Sequence, residues 1–421
     1  ESGANLDYRA IDSFYDYPRV QGLAEMMNSY GVIHNDAEVV SKIVASQAHH
    51  KKIDGHAPGL QGKDLDTYVA AGVYSDHECA TMEDALAKLQ RGQFIMIREG
   101  TAARNLEALA PLLTPQYAER CMFCTDDKHP SDLLEKGHID YIAREAINKY
   151  GVDPIIAVKA ACHHASRYFL LNNRGAIAPG YLADFAVIDN FKDFNVEMVF
   201  KKGVLYWNNG ELRDFEAPKI EEYLDKRAHD TFHVSTLTPD DFRDTRQRGV
   251  LGMVPGEIIT TDNGYADHVD LEKDILKIAV VERHKGTHHI GLGYIQGYGL
   301  KSGAVATSIS HDSHNIIVVG TNSADMAFAA NYIVEHHGGI VVVENGTVKG
   351  SVVLEIAGIM SDRPLTEVND QLEAAKDAAF TLGVSRGIDP FMTLSFMALP
   401  VIPKLRITTR GVVDVDTQQY V

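Results

Sequence analysis

Short apolar runs alternate with longer amphipathic stretches over roughly the first 165 residues of the chain. Each apolar run has the length of a β-strand and each amphipathic stretch the length of a helix, and the pair recurs five times in succession. The predicted strand and helix pairs are 19–26 with 36–49, 52–56 with 63–71, 73–77 with 82–89, 94–98 with 104–113, and 121–124 with 131–149. This repetition predicts an α/β fold of βα units around a parallel sheet, with the chemistry in the loops after the strands.

Five βα units do not close an eight-stranded barrel. We therefore interpret residues 1–170 as strands about 4 to 8 of a (β/α)8 barrel, and expect three strands upstream of residue 1. The chain begins Glu1-Ser2-Gly3, without an initiator Met or a basic leader, which fits a start inside a longer protein.

The pattern changes after a predicted helix at 153–171. Residues 171–215 contain three short apolar runs, at 185–188, 196–200 and 204–207, joined by turn dipeptides such as Lys202-Gly203, and predict a small β-sandwich module. A polar stretch from Asn208 to about His229 follows. Residues 230–421 predict an α+β domain with strands at 275–282, 304–308, 316–319 and 340–344 and helices at 323–334 and 365–381.

The glycines of this last region invite a nucleotide-loop interpretation. Gly291, Gly293, Gly297 and Gly299 have neither the spacing of a dinucleotide fingerprint nor a Walker lysine. We interpret them as strand and turn glycines.

Composition excludes several classes of protein. A net charge of -18 argues against nucleic acid as a partner, and no apolar run reaches the ~18 residues that cross a bilayer, so no membrane role is expected. Four cysteines, all within the first 162 residues, are too few for a disulfide scaffold and favour a cytoplasmic location. Cys121 and Cys124 form a C-x-x-C without a second pair, and we interpret them as strand-packing residues.

Three of the predicted strands end at or next to a residue of a type that commonly binds metal ions. His56 and His77 follow consecutive apolar runs, and Asp126 follows the last one. Because side chains at the carboxyl ends of parallel strands converge on one pocket, these residues predict a hydrolytic metal site. Glu25 is a lone acid at the end of the first run and is a candidate bridging ligand; the alternative is an exposed Glu at a helix start.

Asp126 can have two roles, as a metal ligand and as the base that takes a proton from the attacking water. Asp127 beside it is a candidate for hydrogen bonding to substrate; its alternative role is to cap the next helix, for which Ser131 or Asp132 is better placed.

Several segments together resemble the bacterial adenine deaminases of the amidohydrolase superfamily. The resemblance is carried in the barrel region by residues 22–28, 54–60, 75–78, 97–100 and 124–127, in the β module by 175–184, and in the last region by 281–285 and 310–315. It implies hydrolysis of adenine to hypoxanthine and ammonia, in purine salvage, by a hydroxide that bridges two divalent metal ions, with manganese or iron favoured and zinc an alternative.

The resemblance also assigns roles. Glu25 takes the place of the bridging carboxylate, His56 and His77 of the ligands from the fifth and sixth strands, and Asp126 of the eighth-strand acid. Asp127, Arg98 and Glu99 are candidates for holding the ring nitrogens of adenine.

The family's His-x-His pair on the first barrel strand has no counterpart in residues 1–421. We expect a missing N-terminal segment of the same protein to supply it, and a homo-oligomer to form. Two alternatives stay open: another amidohydrolase activity, on a cyclic amide or a different aminopurine, and an inactive fragment that needs the missing part.

The remaining histidines carry weaker expectations. The adjacent pairs His49-His50, His163-His164, His288-His289 and His336-His337 diverge on a helix or strand and are interpreted as surface or mixed-environment residues. His311 and His314 lie close enough to converge in one loop; we expect loop stabilisation, with a lid or second site as the alternative.

Overall fold

The computed structural model describes residues 2–101, 103–254 and 258–421. These residues form two compact units. One comprises Leu6–Ala217, and the other comprises Pro218–Val421 together with residues 2–5.

Five short parallel strands form the core of the first unit. They are β1 (Gly22–Met26), β2 (Lys52–Gly55), β3 (Ser75–Asp76), β4 (Phe94–Arg98) and β5 (Cys121–Cys124). Strand β1 pairs with β2, and β3, β4 and β5 pair in that order. The backbone N–H of Tyr74 donates to the Ile53 carbonyl at 2.9 Å and connects β2 to the segment that enters β3. The predicted succession of parallel βα units is confirmed.

Helices follow each of these strands. The first unit contains α1 (Tyr8–Phe14), α2 (Ser29–Ile33), α3 (Ala37–Ala48), α4 (Gly62–Ala70), α5 (Met82–Gln90), α6 (Leu106–Leu109), α7 (Pro130–Glu135), α8 (Ile139–Asn148), α9 (Pro154–Val158) and α10 (His164–Tyr168). Short 3-10 turns occupy Ala110–Leu112 and Ala118–Arg120, and a π-helical turn at Lys159–His163 joins α9 to α10.

The predicted helix at 131–149 differs from the structure. The stretch 131–149 is two helices, α7 and α8, because Gly137 between them adopts a φ of 103° that ends the first. Helix α7 begins at Pro130 with His129 as its N-cap, so the expectation that Ser131 or Asp132 is the cap is wrong. Proline at the first helical position has a suitable φ and no N–H to satisfy.

The rest of the first unit is an antiparallel sheet of β6 (Phe185–Ile188), β7 (Val196–Lys201), β8 (Val204–Asn208) and β9 (Glu211–Leu212). Lys202 and Gly203, with φ of 51° and 77°, form the predicted hairpin connection between β7 and β8. Positive φ at both turn residues matches the twist of the flanking strands. The division into a barrel, a β module and a C-terminal domain stays a prediction.

A broad sheet dominates the second unit. Its strands are β10 (Arg248–Met253), β11 (Thr260–Ala266), β12 (Ile275–Val281), β13 (Ile290–Gln296), β14 (Ala304–Thr307), β15 (Ile316–Gly320), β16 (Gly339–Glu344) and β17 (Thr347–Val353), in the order β11-β10-β13-β12-β15-β14-β16-β17. A second sheet pairs β18 (Leu405–Thr408), β19 (Gly411–Asp414) and β20 (Gln419–Tyr420). The helices are α11 (Glu222–His229), α12 (Ser323–Glu335), α13 (Leu365–Thr381) and α14 (Met392–Phe396), with a 3-10 turn at Pro239–Phe242.

Both faces of the central strands of the broad sheet are buried. Alternate residues of β12 pack against different helices: Ile278 lies in the core that includes α13, and Ala279 in the core that includes α12. This arrangement explains the continuous apolar runs of the central strands.

Glycines 291 and 293 lie inside β13, and Gly297 and Gly299 have φ of 101° and 91°, so their interpretation as strand and turn residues is confirmed. A Cβ added at Gly291 would lie 1.9 Å from the Thr408 carbonyl oxygen. The helices in the described ranges are all too short or too polar to cross a membrane.

Candidate metal centre

The strand ends of the first unit bring the predicted ligands together. Glu25 lies within β1, His56 directly after β2, and His77 directly after β3. His77 Nε2 lies 2.9 Å from Glu25 Oε2, and His56 Nδ1 lies 3.8 Å from Glu25 Oε1. Glu25 therefore lies in a strand and not at a helix start, although the residue is exposed.

Asp126, the fourth predicted ligand, lies near His77. Its Oδ2 lies 4.0 Å from His77 Nε2. Asp126 has a φ of 56°, which is uncommon for a residue with a side chain and is concentrated at functional sites. The structure therefore gathers Glu25, His56, His77 and Asp126, although each comes from a different strand or loop.

Glu78 is a fifth member that the sequence argument did not single out. Its Oε1 lies 3.5 Å from His56 Nδ1 and 3.3 Å from His77 Nε2, and the side chain is only 5% exposed. The one signal in the sequence is the acid directly after His77. In a regular strand such a neighbour would point to the opposite face, but β3 ends at Asp76 and the alternation does not apply.

The surroundings of the His56 ring indicate whether these residues suit a metal ion. Both of its ring nitrogens are buried and have no hydrogen-bond partner among the described residues. A buried polar atom without a partner is costly, so native structures rarely retain one without a bound group to satisfy it. The ligand atoms of Glu25, His56 and His77 lie within 4.8 Å of one another, as do those of His77, Glu78 and Asp126. Imidazole and carboxylate groups at this spacing fit divalent transition metals.

Arg98 offsets part of the negative charge of this centre. Arg98, at the end of β4, forms a bidentate pair with Glu78 and places Nη1 2.6 Å from Asp126 Oδ2. Burial disfavours the charge of Arg98, but the carboxylates of Glu78 and Asp126 outweigh it and raise the pKa of the guanidinium.

The pKa values of His77 and Glu78 shift in opposite directions. Burial disfavours a charged His77, yet hydrogen bonding to Glu25 and Glu78 raises its pKa to about 10. Burial also opposes ionisation of Glu78, but His77 and Arg98 overcome it and lower the pKa of that carboxyl. The centre is thus a set of charged groups held in place by one another.

Tyrosines fix the loops that carry the ligands. The hydroxyl of Tyr68 donates to the Met26 carbonyl at 2.6 Å and accepts from the His56 backbone N–H at 3.0 Å. Tyr168 donates to Asp54 at 2.5 Å, two residues before His56. These bonds connect the ends of β1 and β2 through side chains that are fully buried.

The other predicted residues occupy varied positions. Glu99 accepts a hydrogen bond from the Leu106 backbone N–H at 3.2 Å, at the start of α6. The backbone N–H of Asp127 donates to Asp126 Oδ1 at 2.8 Å. Cys121 is buried within β5, where burial raises its pKa, and Cys124 ends the same strand.

Three predicted histidines lie elsewhere. His164 is buried, and its Nδ1 lies 2.9 Å from the Cys121 carbonyl oxygen, so its interpretation as a surface or mixed-environment residue is wrong. His311 and His314 lie in the second unit, between β14 and β15, with ring centroids 6.0 Å apart. His311 stacks on Phe396 at 4.7 Å.

Known proteins match the chain along its whole length. The amidohydrolase family matches residues 18–206, and the adenine deaminase C-terminal domain matches residues 257–419. A protein named adenine deaminase from Desulfatibacillum aliphaticivorans is 44% identical over 100% of this chain and 74% of its own length. Proteins of the same name from Nitratidesulfovibrio vulgaris (strain DP4) and Kosmotoga olearia are 44% and 42% identical, again over 100% of this chain and 74% of their own length.

Solved structures show a more distant similarity. A 5-methylcytosine deaminase from Klebsiella pneumoniae, liganded with phosphonocytosine, is 15% identical, with a TM-score of 0.34 over 51% of this chain and 60% of its own. The assignment therefore depends on the sequence relatives and on the two family matches. On that basis, the chain belongs to the adenine deaminase family.

Proposed function

We propose that this protein hydrolyses adenine to hypoxanthine and ammonia at the centre formed by Glu25, His56, His77 and Asp126. The observation that carries the proposal is His56, a buried imidazole whose two nitrogens make no hydrogen bond among the described residues, with carboxylates of Glu25 and Glu78 within 4 Å of Nδ1. The named relatives supply the substrate, because proteins called adenine deaminase match the whole chain.

Glu25, His56, His77 and Asp126 would hold two divalent metal ions, with Glu25 in the bridging position. Manganese and iron are the proposed metals, and zinc is an alternative. When bound, such ions lower the pKa of a water from about 15.7 to about 7 and so supply a hydroxide near neutral pH.

Asp126 is the proposed base. It accepts one proton of the attacking water and passes it towards the ring or the departing ammonia, while the water oxygen bonds to the purine carbon that bears the amino group. The bond from that carbon to the amino nitrogen then breaks, so that one water proton leaves with ammonia and the other stays on a ring nitrogen of hypoxanthine. Arg98 orients this carboxylate through the 2.6 Å contact to Oδ2. A charge-assisted bond of this kind fixes the direction in which the second oxygen points.

Asp127, Arg98 and Glu99 are proposed to hold the ring nitrogens of adenine. Arg98 and Glu99 are the weaker candidates, since the Arg98 guanidinium already pairs with Glu78 and Asp126, and the Glu99 carboxylate already accepts the Leu106 backbone N–H. A His-x-His segment supplied from outside residues 1–421, a homo-oligomer, a cytoplasmic location and a role in purine salvage stay predictions.

Ammonia release combined with elemental analysis tests this function. We expect protein purified with Mn²⁺ or Fe²⁺, together with the upstream segment that carries the His-x-His pair, to retain the metal and to release ammonia from adenine in preference to other aminopurines and cyclic amides. His56→Asn removes the unpartnered imidazole and should lose both the metal and the activity. Asp64→Asn, which changes an exposed acid on α4, is the matched control and should keep both.

Two results would contradict the proposal. One is a metal-free protein that still releases ammonia, and the other is a metal-loaded protein that prefers a cyclic amide to adenine. The second result would favour the alternative amidohydrolase activity.

A further inference from the structure

A buried lysine lies behind the candidate centre. Lys88 belongs to α5, the helix after β3, and its side chain is 0% exposed. Lysine is almost never fully buried unless it is paired, since removing an ammonium from water costs several kcal/mol. Its partners therefore indicate what Lys88 contributes.

Three oxygens and one sulfur surround the Lys88 ammonium. Its Nζ donates to the Ala57 carbonyl at 2.8 Å, to Asp76 Oδ2 at 3.0 Å and to Asp84 Oδ2 at 3.0 Å, and it lies 3.6 Å from Cys79 Sγ, a weaker acceptor. An ammonium has three N–H groups, so each has an acceptor. Burial disfavours the charge, but the neighbouring carboxylates of Asp76 and Asp84 raise the pKa of Lys88, and the group stays protonated.

Asp76 extends this arrangement to the loops that carry the ligands. Its Oδ1 accepts from the Ala57 backbone N–H at 2.7 Å, and its Oδ2 accepts from the Glu78 backbone N–H at 3.0 Å. Ala57 directly follows His56, while Asp76 and Glu78 flank His77. The Lys88–Asp76 pair thus holds both backbone polar groups of Ala57 and one backbone group on the far side of His77.

We propose that Lys88 is a positioning residue that sets the distance and orientation between His56 and His77, and thereby the affinity of the centre for divalent metal. This inference rests on the proposed function, because it takes both histidines as metal ligands. Lys88 acts through Ala57 and Asp76 and does not itself contact a ligand side chain.

An ion pair that only stabilised the fold would not need to bond to the segments that carry His56 and His77. Replacing a buried ion pair with apolar side chains of similar volume is often neutral or stabilising, so burial of charge is weak evidence for a role in stability. Three of the four Lys88 acceptors, on Ala57, Asp76 and Cys79, belong to the segments that bear His56 and His77. The fourth, Asp84, lies on α5 itself one turn away. The pair therefore connects two ligand segments to a helix.

The test compares Mn²⁺ affinity with folding stability. Lys88→Met alone leaves two buried carboxylates without their cation and is expected to fold poorly. The double variant Lys88→Met/Asp84→Asn reduces this cost, because only one buried carboxylate, that of Asp76, loses its cation. The net charge of the group is also unchanged: Asp76, Asp84 and Lys88 sum to -1 in the wild type, and Asp76 alone gives -1 in the variant. Asp84→Asn by itself keeps the bonds from Lys88 to Ala57 and Asp76.

Lys277→Met is the matched control. Lys277 is also buried and donates to a backbone carbonyl, that of Phe242 at 2.8 Å, but it belongs to the second unit. It therefore measures the cost of losing a buried lysine without changing the ligand segments.

We expect the double variant to bind Mn²⁺ 10 to 100 times more weakly than the wild type by equilibrium dialysis, about the effect of losing an outer partner of a metal ligand. Asp84→Asn should bind more weakly by a smaller factor, and Lys277→Met should bind as the wild type does even though its melting temperature falls. In the metal-free protein, hydrogen exchange of the Ala57 and Glu78 amides should accelerate at least about tenfold in the double variant.

Unchanged Mn²⁺ affinity in a folded double variant would overturn the inference, as would an equal loss of affinity in Lys277→Met. Failure of the proposed function is a separate result: wild-type protein that binds Mn²⁺ but releases no ammonia from adenine would contradict the activity, while the comparison of affinities would still decide the role of Lys88.

Discussion

Buried cations have different partners in the two units of this protein. In the first unit, Lys88 and Arg98 pair with carboxylates, and those carboxylates raise the pKa of both cations. In the second unit, Arg283 and Arg406 donate mainly to backbone carbonyls, and burial lowers their pKa to about 10 and about 9. The same kind of side chain therefore has opposite electrostatic environments.

The second unit uses its buried arginines to connect loops. Arg406 donates to the carbonyls of Ile402 at 2.9 Å and Ile258 at 2.6 Å, and Arg283 donates to those of Ala357 at 2.8 Å and Thr231 at 3.0 Å. Carbonyl acceptors are neutral and lie on fixed backbone. Such bonds hold the chain in place without gathering negative charge.

The first unit gathers negative charge instead. Glu25, Glu78 and Asp126 converge on His77, and Arg98 offsets only part of their charge. A concentration of carboxylates and imidazoles is costly unless a cation is bound, which is why we place the metal centre here. The comparison teaches that a buried charge indicates a site only when its partners are themselves charged and mutually close.

Among the predicted effects, the largest is the loss of adenine turnover in Asp126→Asn, which changes the charged centre of the first unit. The substitution removes the proposed base and one carboxylate partner of Arg98 while preserving side-chain shape. We expect turnover of adenine to fall by roughly 10²–10⁴, with little change in melting temperature. Asp64→Asn again serves as the control, and near wild-type ammonia release by Asp126→Asn would remove Asp126 from the mechanism.

Arg98→Met and Arg406→Met compare the two kinds of buried cation directly. Arg98→Met leaves Glu78 buried without its bidentate partner, and we expect a cost of about 3 kcal/mol in the free energy of unfolding together with weaker metal binding. Arg406→Met leaves only neutral carbonyls unpaired, at a cost of about 1–3 kcal/mol and with metal affinity unchanged. Denaturant titration and Mn²⁺ dialysis measure the two quantities. An equal effect of both variants on metal affinity would abolish the distinction between the units.

His314 should make the second unit sensitive to acid. Burial, together with the positive charges of His311 and Arg283, lowers the pKa of His314 to about 4. The Ser310 backbone N–H points at His314 Nδ1 from 3.4 Å, which requires an unprotonated nitrogen. A histidine with a lowered folded-state pKa contributes stability above its unfolded pKa of about 6.5, and that stability is lost as pH falls towards 4.

The corresponding experiment measures unfolding of the wild type and of His314→Gln at pH 7 and pH 5. Because His314 is partly exposed, we expect the wild type to lose only on the order of 1 kcal/mol more than the variant between these values. Glutamine keeps an acceptor for Ser310 but does not titrate. An identical loss in both proteins would show that His314 does not titrate differently in the folded state.

The parallel strands of the first unit could be predicted because each apolar run ends at a polar ligand and is followed by a helix of regular period. Several features of the site could not be predicted in this way. Glu78 looks like a neighbour pointing away from His77, since nothing in the sequence shows that β3 is only two residues long. Lys88 and Asp84, four residues apart on α5, have the spacing of an exposed surface pair, and only the fold shows that both are buried.

Glycines make two strands of the second unit hard to predict, because what requires them is largely absent from the local sequence. Strands β10 and β13 contain Gly249, Gly252, Gly291 and Gly293, which weaken a strand pattern although close packing requires them. A Cβ on Gly293 would lie 2.4 Å from Val412 Cγ2. Contacts with residues more than a hundred positions away decide Gly249, Gly291 and Gly293, and a local pattern does not contain them.

Anomalous X-ray diffraction at the manganese edge, from crystals of the protein grown with Mn²⁺, tests the central claim most directly. We predict an anomalous peak within coordination distance of the Glu25, His56 and His77 side chains. A peak at another set of residues, or crystals in which Mn²⁺ binds while both nitrogens of His56 stay unpartnered, would contradict the assignment of this centre.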